Sequence, residues 1–326
     1  MLAFGQHSPS RPPVPTAPGP AGVATYPLGS SDLAAPAGRP RCLDHHLLLL
    51  VDAGHGELIV DFVARPCRPG TLLWVRPGQA VQAGAGSGLD AVLVVWDSSV
   101  HPTPELTGMP ADDPFGPGHW QLAGEDEDAI ISEVSQLVVD CERLEREHRD
   151  SGALGAALVQ HELAVLLLRV GLLSAPHLPR LSRAEARTFE RFRALLEEQH
   201  AQTRRVEEYA AALGCSVRTL TRAGLAATGR SAKQLIDDRV ALAAKRMLAC
   251  TDLAVAEIGR RLGFAEPTNF GRFFHRSAGC SPGAFRAAAT AAPPPAATPG
   301  SQIPTQRRSS DTPVRQNSHI SRGARG

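Results

Sequence analysis

The chain reads as a multidomain α and β protein. A β-rich N-terminal sandwich or small barrel with flanking helices precedes an all-α domain that carries two helix-turn-helix units in tandem. Three observations predict this. Between residues 41 and 100, short apolar runs are punctuated by Gly and Pro, the grammar of a sandwich or barrel. From residue 125 onward the apolar spacing becomes helical. Two segments, residues 206–229 (VEEYAAALGCSVRTLTRAGLAATG) and 255–279 (VAEIGRRLGFAEPTNFGRFFHRSAG), then repeat one pattern: amphipathic helix, Leu-Gly turn, second helix, terminal Gly.

Residues 1–38 are rich in Pro, Ala, Gly and Ser without a period, and residues 290–326 repeat that character with several arginines. Both are expected to be disordered tails. A β domain spans residues 39–124. Its strands are expected at 47–51, at 57–63 (ELIVDFV), at 71–75 between the turns Arg68-Pro69-Gly70 and Arg76-Pro77-Gly78, and at 91–96, with a loop over 101–124. Asp61 is a lone acid inside the 57–63 run, and an outward orientation fits it better than a pocket. Trp74 and Trp96 fit core packing better than a pocket lining.

A helical linker or dimerisation segment follows over residues 125–175. In 125–149, Ile130, Ile131, Val134, Leu137, Val138, Cys141 and Leu144 recur at helical spacing behind an acidic first turn that suits the positive end of the helix dipole. Residues 153–173 are apolar nearly all round, which fits a core helix and a dimer seam equally. Pro176 and Pro179 mark a linker.

The charge is uneven. Residues 1–181 sum to −10, residues 182–289 to +7 and residues 290–326 to +4, so the basic domain suits a polyanion partner. Six cysteines without a CxxC pair fit reduced thiols of the cytoplasm better than a disulfide framework or a zinc site. The Pro-rich N-terminus has no apolar signal region. The apolar stretch 163–173 is broken by Arg169 and flanked by His161 and Glu162, which argues against a membrane span. His45, His46, His55 and Glu57 are the metal-ligand candidates, but Gln79 and Gln82 stand where a later His would be needed. No metal, cofactor or catalysis is expected.

From Ser182 to residue 289 everything is helical, opening on a Ser182/Glu185 capping-box signal. Helices are expected at 183–200, 204–212, 216–227, 231–249, 254–262, 267–277 and 281–288. Gly214 and Gly263 stand where a left-handed residue ends the first helix of each unit. At 3.6-residue spacing Phe270 and Phe274 face the core with Phe264, leaving Thr268, Asn269 and Arg272 outward. In the first unit Leu220 is core and Val217, Arg218, Thr221 and Arg222 face out. Arg pairs bidentately with guanine and Asn with adenine, so these faces suit major-groove readout.

Residues 263–286 (GFAEPTNFGRFFHRSAGCSPGAFR) carry a GF pair, the F-x-R-x-F spacing of Phe270, Arg272 and Phe274, and a G-x-S-P-x-x-F-R ending. With these the chain resembles the AraC/XylS family of bacterial transcription regulators over about 100 residues. Residues 231–249, with Arg239, Ala243 and Leu248, resemble that family's connecting helix. The resemblance implies a homeodomain-like tandem domain over 182–289 that reads DNA with Val217, Arg218, Thr221 and Arg222 in one unit and Pro267, Thr268, Asn269 and Arg272 in the other. The second unit's core would be Ile258, Leu262, Gly263, Phe264, Phe270, Phe274 and Pro282. One departure stands out: the family has an aromatic two positions after the residue matching Arg222, and this chain has Gly224, for which Leu225 is the candidate substitute. Residues 45–62 and 68–82 resemble the strands of the cupin-like sensor domain that many members carry. The implied partners are double-stranded DNA, an unidentified small-molecule effector, RNA polymerase and a second copy of the chain, with no membrane. A cupin-type metalloenzyme on a DNA-binding tail and a protein adaptor built from the helical repeat are the alternatives from other classes.

Overall fold

The computed structural model describes residues 17–19, 21–31, 33, 39–84, 88–100, 117–146, 152–174 and 182–290. The strands are β1 (Val23–Pro27), β2 (Arg41–Cys42), β3 (His46–Ala53), β4 (Gly56–Val60), β5 (Val63–Cys67), β6 (Thr71–Val75), β7 (Ala80–Ala83), β8 (Asp90–Trp96) and β9 (His119–Gln121). They form two antiparallel sheets, ordered β1-β8-β3-β6-β9 and β2-β7-β4-β5. Without the edge strand β9 this is the order of a double-sheet jelly roll, the architecture of cupins.

The central strands β3 and β8 are apolar on both faces, and the structure uses both. Leu47, Leu49, Val51, Leu93 and Val95 point between the sheets, where Leu58, Val60 and Val81 meet them. Leu48, Leu50, Val92 and Val94 point the other way, under α1 (Glu125–Arg146) and α2 (Gly152–Ser174), whose Ile130, Val134, Leu137, Leu163, Leu166 and Val170 close a second core. Doubly buried strands lose the polar alternation of a one-sided sheet. Trp74 and Trp96 are buried in that second core; His46 stacks on Trp96 at 4.8 Å and accepts a hydrogen bond from Trp74 Nε1 at 3.2 Å.

Three expectations are corrected. The presumed N-terminal tail contains β1 and a 3-10 turn (Leu28–Ser30): Val23, Ala24, Leu28 and Leu33 are buried, and β1 pairs with β8 along its whole length. Burial of this short apolar run outweighs the Pro/Gly/Ala bias around it; residues 1–16 and 291–326 lie outside the described residues. The run 57–63 is not one strand. It turns back on itself at Asp61 and Phe62, whose φ angles of 51° and 67° supply the paired left-handed residues of a tight hairpin, and β4 pairs with β5 across it. Within the expected loop 101–124, residues 119–121 form β9 against β6, while 101–116 lie outside the described residues.

The C-terminal region contains α3 (Arg183–Gln199), α4 (Val206–Ala212), α5 (Val217–Thr228), α6 (Ala232–Cys250), α7 (Val255–Arg261), α8 (Pro267–Ala278) and α9 (Pro282–Thr290) around one core. Ser182 and Glu185 form the capping box of α3, and Ser231 and Gln234 form that of α6. The buried Arg239 of α6 is clamped by Glu197 of α3, with Nε–Oε1 at 2.8 Å and Nη2–Oε2 at 2.7 Å.

Candidate nucleic-acid interface

Two copies of one local structure are built by the same chemistry. At the end of α4, Cys215 N–H donates to Ala210 C=O and Gly214 N–H to Ala211 C=O; at the end of α7, Phe264 N–H donates to Gly259 C=O and Gly263 N–H to Arg260 C=O. Each set is a Schellman motif. Each places its glycine at positive φ, 65° for Gly214 and 72° for Gly263. At Gly263 the need for glycine is double, since a Cβ would come 2.9 Å from Ala201 C=O.

The second helices, α5 and α8, are each 12 residues long and each ends on a left-handed glycine, Gly229 and Gly279. Their starts differ. Ser216 caps α5 by accepting from Thr219 N–H at 3.1 Å. α8 has Pro267 at its first position instead, where no N–H is required and φ is already helical.

Packing fixes which face is presented. Leu220, Phe270 and Phe274 are fully buried, and Ile258, Leu262 and Phe264 line the same core with Phe273. Phe264, Phe270, Phe274 and Phe285 form a chain of ring contacts at 5.3, 6.0 and 5.5 Å. The Arg204 guanidinium covers Phe264 at 3.4 Å, and Pro282 is buried at the start of α9. With these faces turned inward, Val217, Arg218 and Arg222 of α5 are exposed and Thr221 is half-buried, while Pro267, Thr268, Asn269 and Arg272 of α8 are all exposed. Among the described residues Arg218 and Arg272 make no hydrogen bond or ion pair. Arg222 does: its Nε lies 3.3 Å from Glu185 of α3, in a solvent-exposed pair of the kind worth about 0–1 kcal/mol.

The departure at Gly224 has a physical answer. The site is buried, and a Cβ there would lie 3.0 Å from the Arg230 carbonyl and 3.2 Å from Leu235 Cδ1. The entry of α6, from Arg230 to Leu235, closes over Gly224, the position that matches Phe274 in the second unit. The expected substitute, Leu225, is about half exposed and does not fill it.

Two groups of residues were missed from sequence. Arg286, the last residue of the signature, donates to the carbonyls of Leu248 and Leu253, so it ties α9 across the exit of α6. Asp61, Phe62 and Arg246 join the two cores. Arg246 Nε and Nη2 each lie 2.8 Å from the Asp61 carboxylate, which also accepts from Gln79 Nε2 and Ala80 N–H. Phe62 packs on Phe285 at 5.2 Å. Asp61 therefore does not point to solvent. The only sequence signal for this contact was an acid and an aromatic interrupting an apolar run.

Residues 209–288 match a family model described as a helix-turn-helix domain. The chain is 30% identical over 154 residues to the transcriptional activator NphR of a Rhodococcus species; the match covers 47% of this chain and 45% of that protein, so it spans less than half the length of that curated relative. Among solved structures, ToxT from Vibrio cholerae is 12% identical, with 81% of this chain and 97% of that chain covered and a TM-score of 0.42. The DNA-binding domain of AdpA, a global transcriptional factor solved with a target DNA, is 34% identical over 33% of this chain and 93% of its own, with a TM-score of 0.29. Residues 209–288 of this chain belong to a helix-turn-helix domain.

Proposed function

We propose that the protein is a sequence-specific transcription regulator that lays α5 and α8 into the major groove of double-stranded DNA. The observation that carries this is the matched pair of helices, each entered through a Schellman turn, each closed by a left-handed glycine, and each exposing a polar leading face. Arg218, Thr221 and Arg222, beside Val217, read one block of bases, and Thr268, Asn269 and Arg272, beside Pro267, read the other. α6, with 19 residues, is about 28 Å long at 1.5 Å per residue, close to the ~34 Å repeat of successive major-groove faces. Arg222 leaves Glu185 to engage DNA, at small cost. The test is a gel shift on the DNA upstream of its own gene. Arg272→Ala is expected to lose roughly 1–3 kcal/mol of binding and to relax the preference at one base pair; wild-type protein that binds bulk DNA equally well would refute the reading.

The jelly roll acts as the sensor for a small-molecule effector rather than as an enzyme. Support comes from the Asp61–Phe62 hairpin tip, which rests on α6 and α9, so a shift of the sheet reaches the helix between the two units. RNA polymerase is the downstream partner, and chromosomal DNA places the protein in the cytoplasm.

The same reading makes the protein a homodimer through α2. The stretch Gly152–Leu173 is long and apolar enough to cross a membrane by length and composition, but Val159, Leu163, Leu166, Leu167 and Val170 are buried against the sheet and α1. Its opposite face exposes Leu154, Leu158, Val165, Leu168 and Leu172. With His161 these recur at alternating intervals of four and three residues, a coiled-coil seam that a second copy completes. Leu168→Glu is expected to convert the dimer to monomer in sedimentation; a wild-type protein already monomeric at micromolar concentration would contradict this.

A further inference from the structure

The junction of the jelly roll with α6 carries a pair of cysteines that neither DNA reading nor dimerisation uses. Cys42 lies on β2, the edge strand of the four-stranded sheet, and is exposed. Cys250 is the last residue of α6, against which β2 packs. β2 consists only of Arg41 and Cys42, so its packing on α6 brings Cys42 to the helix that Cys250 ends. The backbones on both sides are pinned. Arg39, three residues before Cys42, meets Asp252, two residues after Cys250, at 3.1 Å. Arg246, one turn before Cys250 on the same face of α6, holds Asp61 in the two-point contact described above.

We infer that Cys42 and Cys250 form a peroxide-oxidisable thiol pair whose disulfide staples the jelly roll to the connecting helix. The two sulfurs are chemically unequal, as such a pair requires. The Cys42 thiol is held below its ordinary value, first by the hydrogen bond from Cys250 and then, against the opposing effect of burial, by the Arg246 charge. The Cys250 thiol is pushed up, first by the same hydrogen bond and then by burial. Cys42, the exposed one of the two, is the attacking sulfur, and Cys250, half-buried at the end of α6, is the resolving one. By contrast, Cys67 is buried between the sheets and Cys141 under the helices, where peroxide in solution does not reach them.

The chemistry balances with a peroxide as oxidant. The Cys42 thiolate attacks one peroxide oxygen; an S–O bond forms, the O–O bond breaks, and the leaving hydroxide takes a proton to become water. The Cys250 sulfur then attacks the sulfenic sulfur; the S–S bond forms, the S–O bond breaks, and the second water leaves with the Cys250 proton. Two thiols lose two electrons and two protons, and the peroxide becomes two waters. Because α7 begins at Val255, five residues after Cys250, the bond fixes the second helix-turn-helix unit beside the jelly roll.

That this fixation bears on gene control rests on the DNA-binding reading above, so the test reads the bond itself. The full-length protein is treated with hydrogen peroxide at stoichiometric ratio, free thiols are alkylated, and peptides are mapped by mass spectrometry. The expected result is a Cys42–Cys250 cross-linked peptide, loss of two of the six alkylatable thiols, and full recovery with dithiothreitol. In Cys250→Ser, Cys42 is expected to stop at sulfenic acid or go on to sulfinic acid, with no intramolecular cross-link. Six alkylated cysteines after treatment, a Cys42–Cys42 cross-link between chains, or a wild-type Cys42 oxidised to sulfinic acid without the cross-link would each overturn the proposal. These readouts need no DNA, so their failure is separate from failure of the regulator reading.

Discussion

Gly224 and Gly271 lie in the second helices of the two units, α5 and α8, and offer a matched perturbation with opposite signs. Neither has a positive φ, so alanine is conformationally allowed at both. At Gly271 a Cβ meets nothing within 4 Å, and Gly271→Ala should gain about 1 kcal/mol from helix propensity alone. At Gly224 the same gain is opposed by the contacts of 3.0 Å to the Arg230 carbonyl and 3.2 Å to Leu235 Cδ1. Leu235 can rotate away. The Arg230 carbonyl cannot, because Gly229 at φ 72° holds it on one side and the Ser231–Gln234 capping box on the other. Overpacking of that kind costs about 1–3 kcal/mol, so Gly224→Ala should lose about 0–2 kcal/mol net, and Gly224→Phe, which installs the family's aromatic, should lose more. Urea and thermal unfolding followed by the helical circular-dichroism signal resolve this, since 1 kcal/mol shifts the midpoint of a domain near 100 residues by about 4–8 °C. If Gly224→Ala stabilises as much as Gly271→Ala, the explanation of the missing aromatic is wrong.

Other outcomes follow from single contacts. Glu197→Ala leaves Arg239, only 9% exposed, as a buried charge without its clamp, and should cost up to about 3–5 kcal/mol in urea titration, with Arg239→Met on the same background recovering part of it. Glu162 has its carboxyl pushed up to about 7, first by burial, then by the hydrogen bond to Asp140 and the charges of Asp140 and Glu133. The folded state therefore binds this proton more tightly than the unfolded chain does. The resulting stability is full below about pH 4.5 and is lost as pH rises through about 7. Melting temperatures between about pH 5 and about pH 8 should fall for wild type and should fall less for Glu162→Gln; parallel profiles would refute the assignment.

Much of the helical domain was legible because its signals are local. A Leu-Gly pair ends a helix whatever surrounds it, and Ser182 with Glu185 announces the start of α3. The alternation of buried phenylalanines with Arg272 fixes the face of α8 from spacing alone. What escaped the sequence depends on long-range pairing. β1 is five residues inside a biased segment, and only the unpaired edge of β8, some 70 residues away, makes it a strand. The hairpin at Asp61 and Phe62 looked like an uninterrupted strand because two adjacent non-glycine left-handed residues are rare; the partners of these side chains, Gln79, Ala80 and Arg246 for Asp61 and Phe285 for Phe62, are all distant in sequence. Gly224 announced that an anchor was absent but not that Leu235 and the Arg230 carbonyl fill its place from the next element.

The central claim is that two separate helices of one chain each read bases. Selection of bound sequences from a randomised DNA library tests it most directly, using wild type, Arg218→Ala and Arg272→Ala. Wild type should return two conserved blocks about 10 base pairs apart, one helical turn, with Arg218→Ala relaxing one block and Arg272→Ala the other. A wild-type protein that returns no preferred sequence, or two variants that relax the same block, would contradict it.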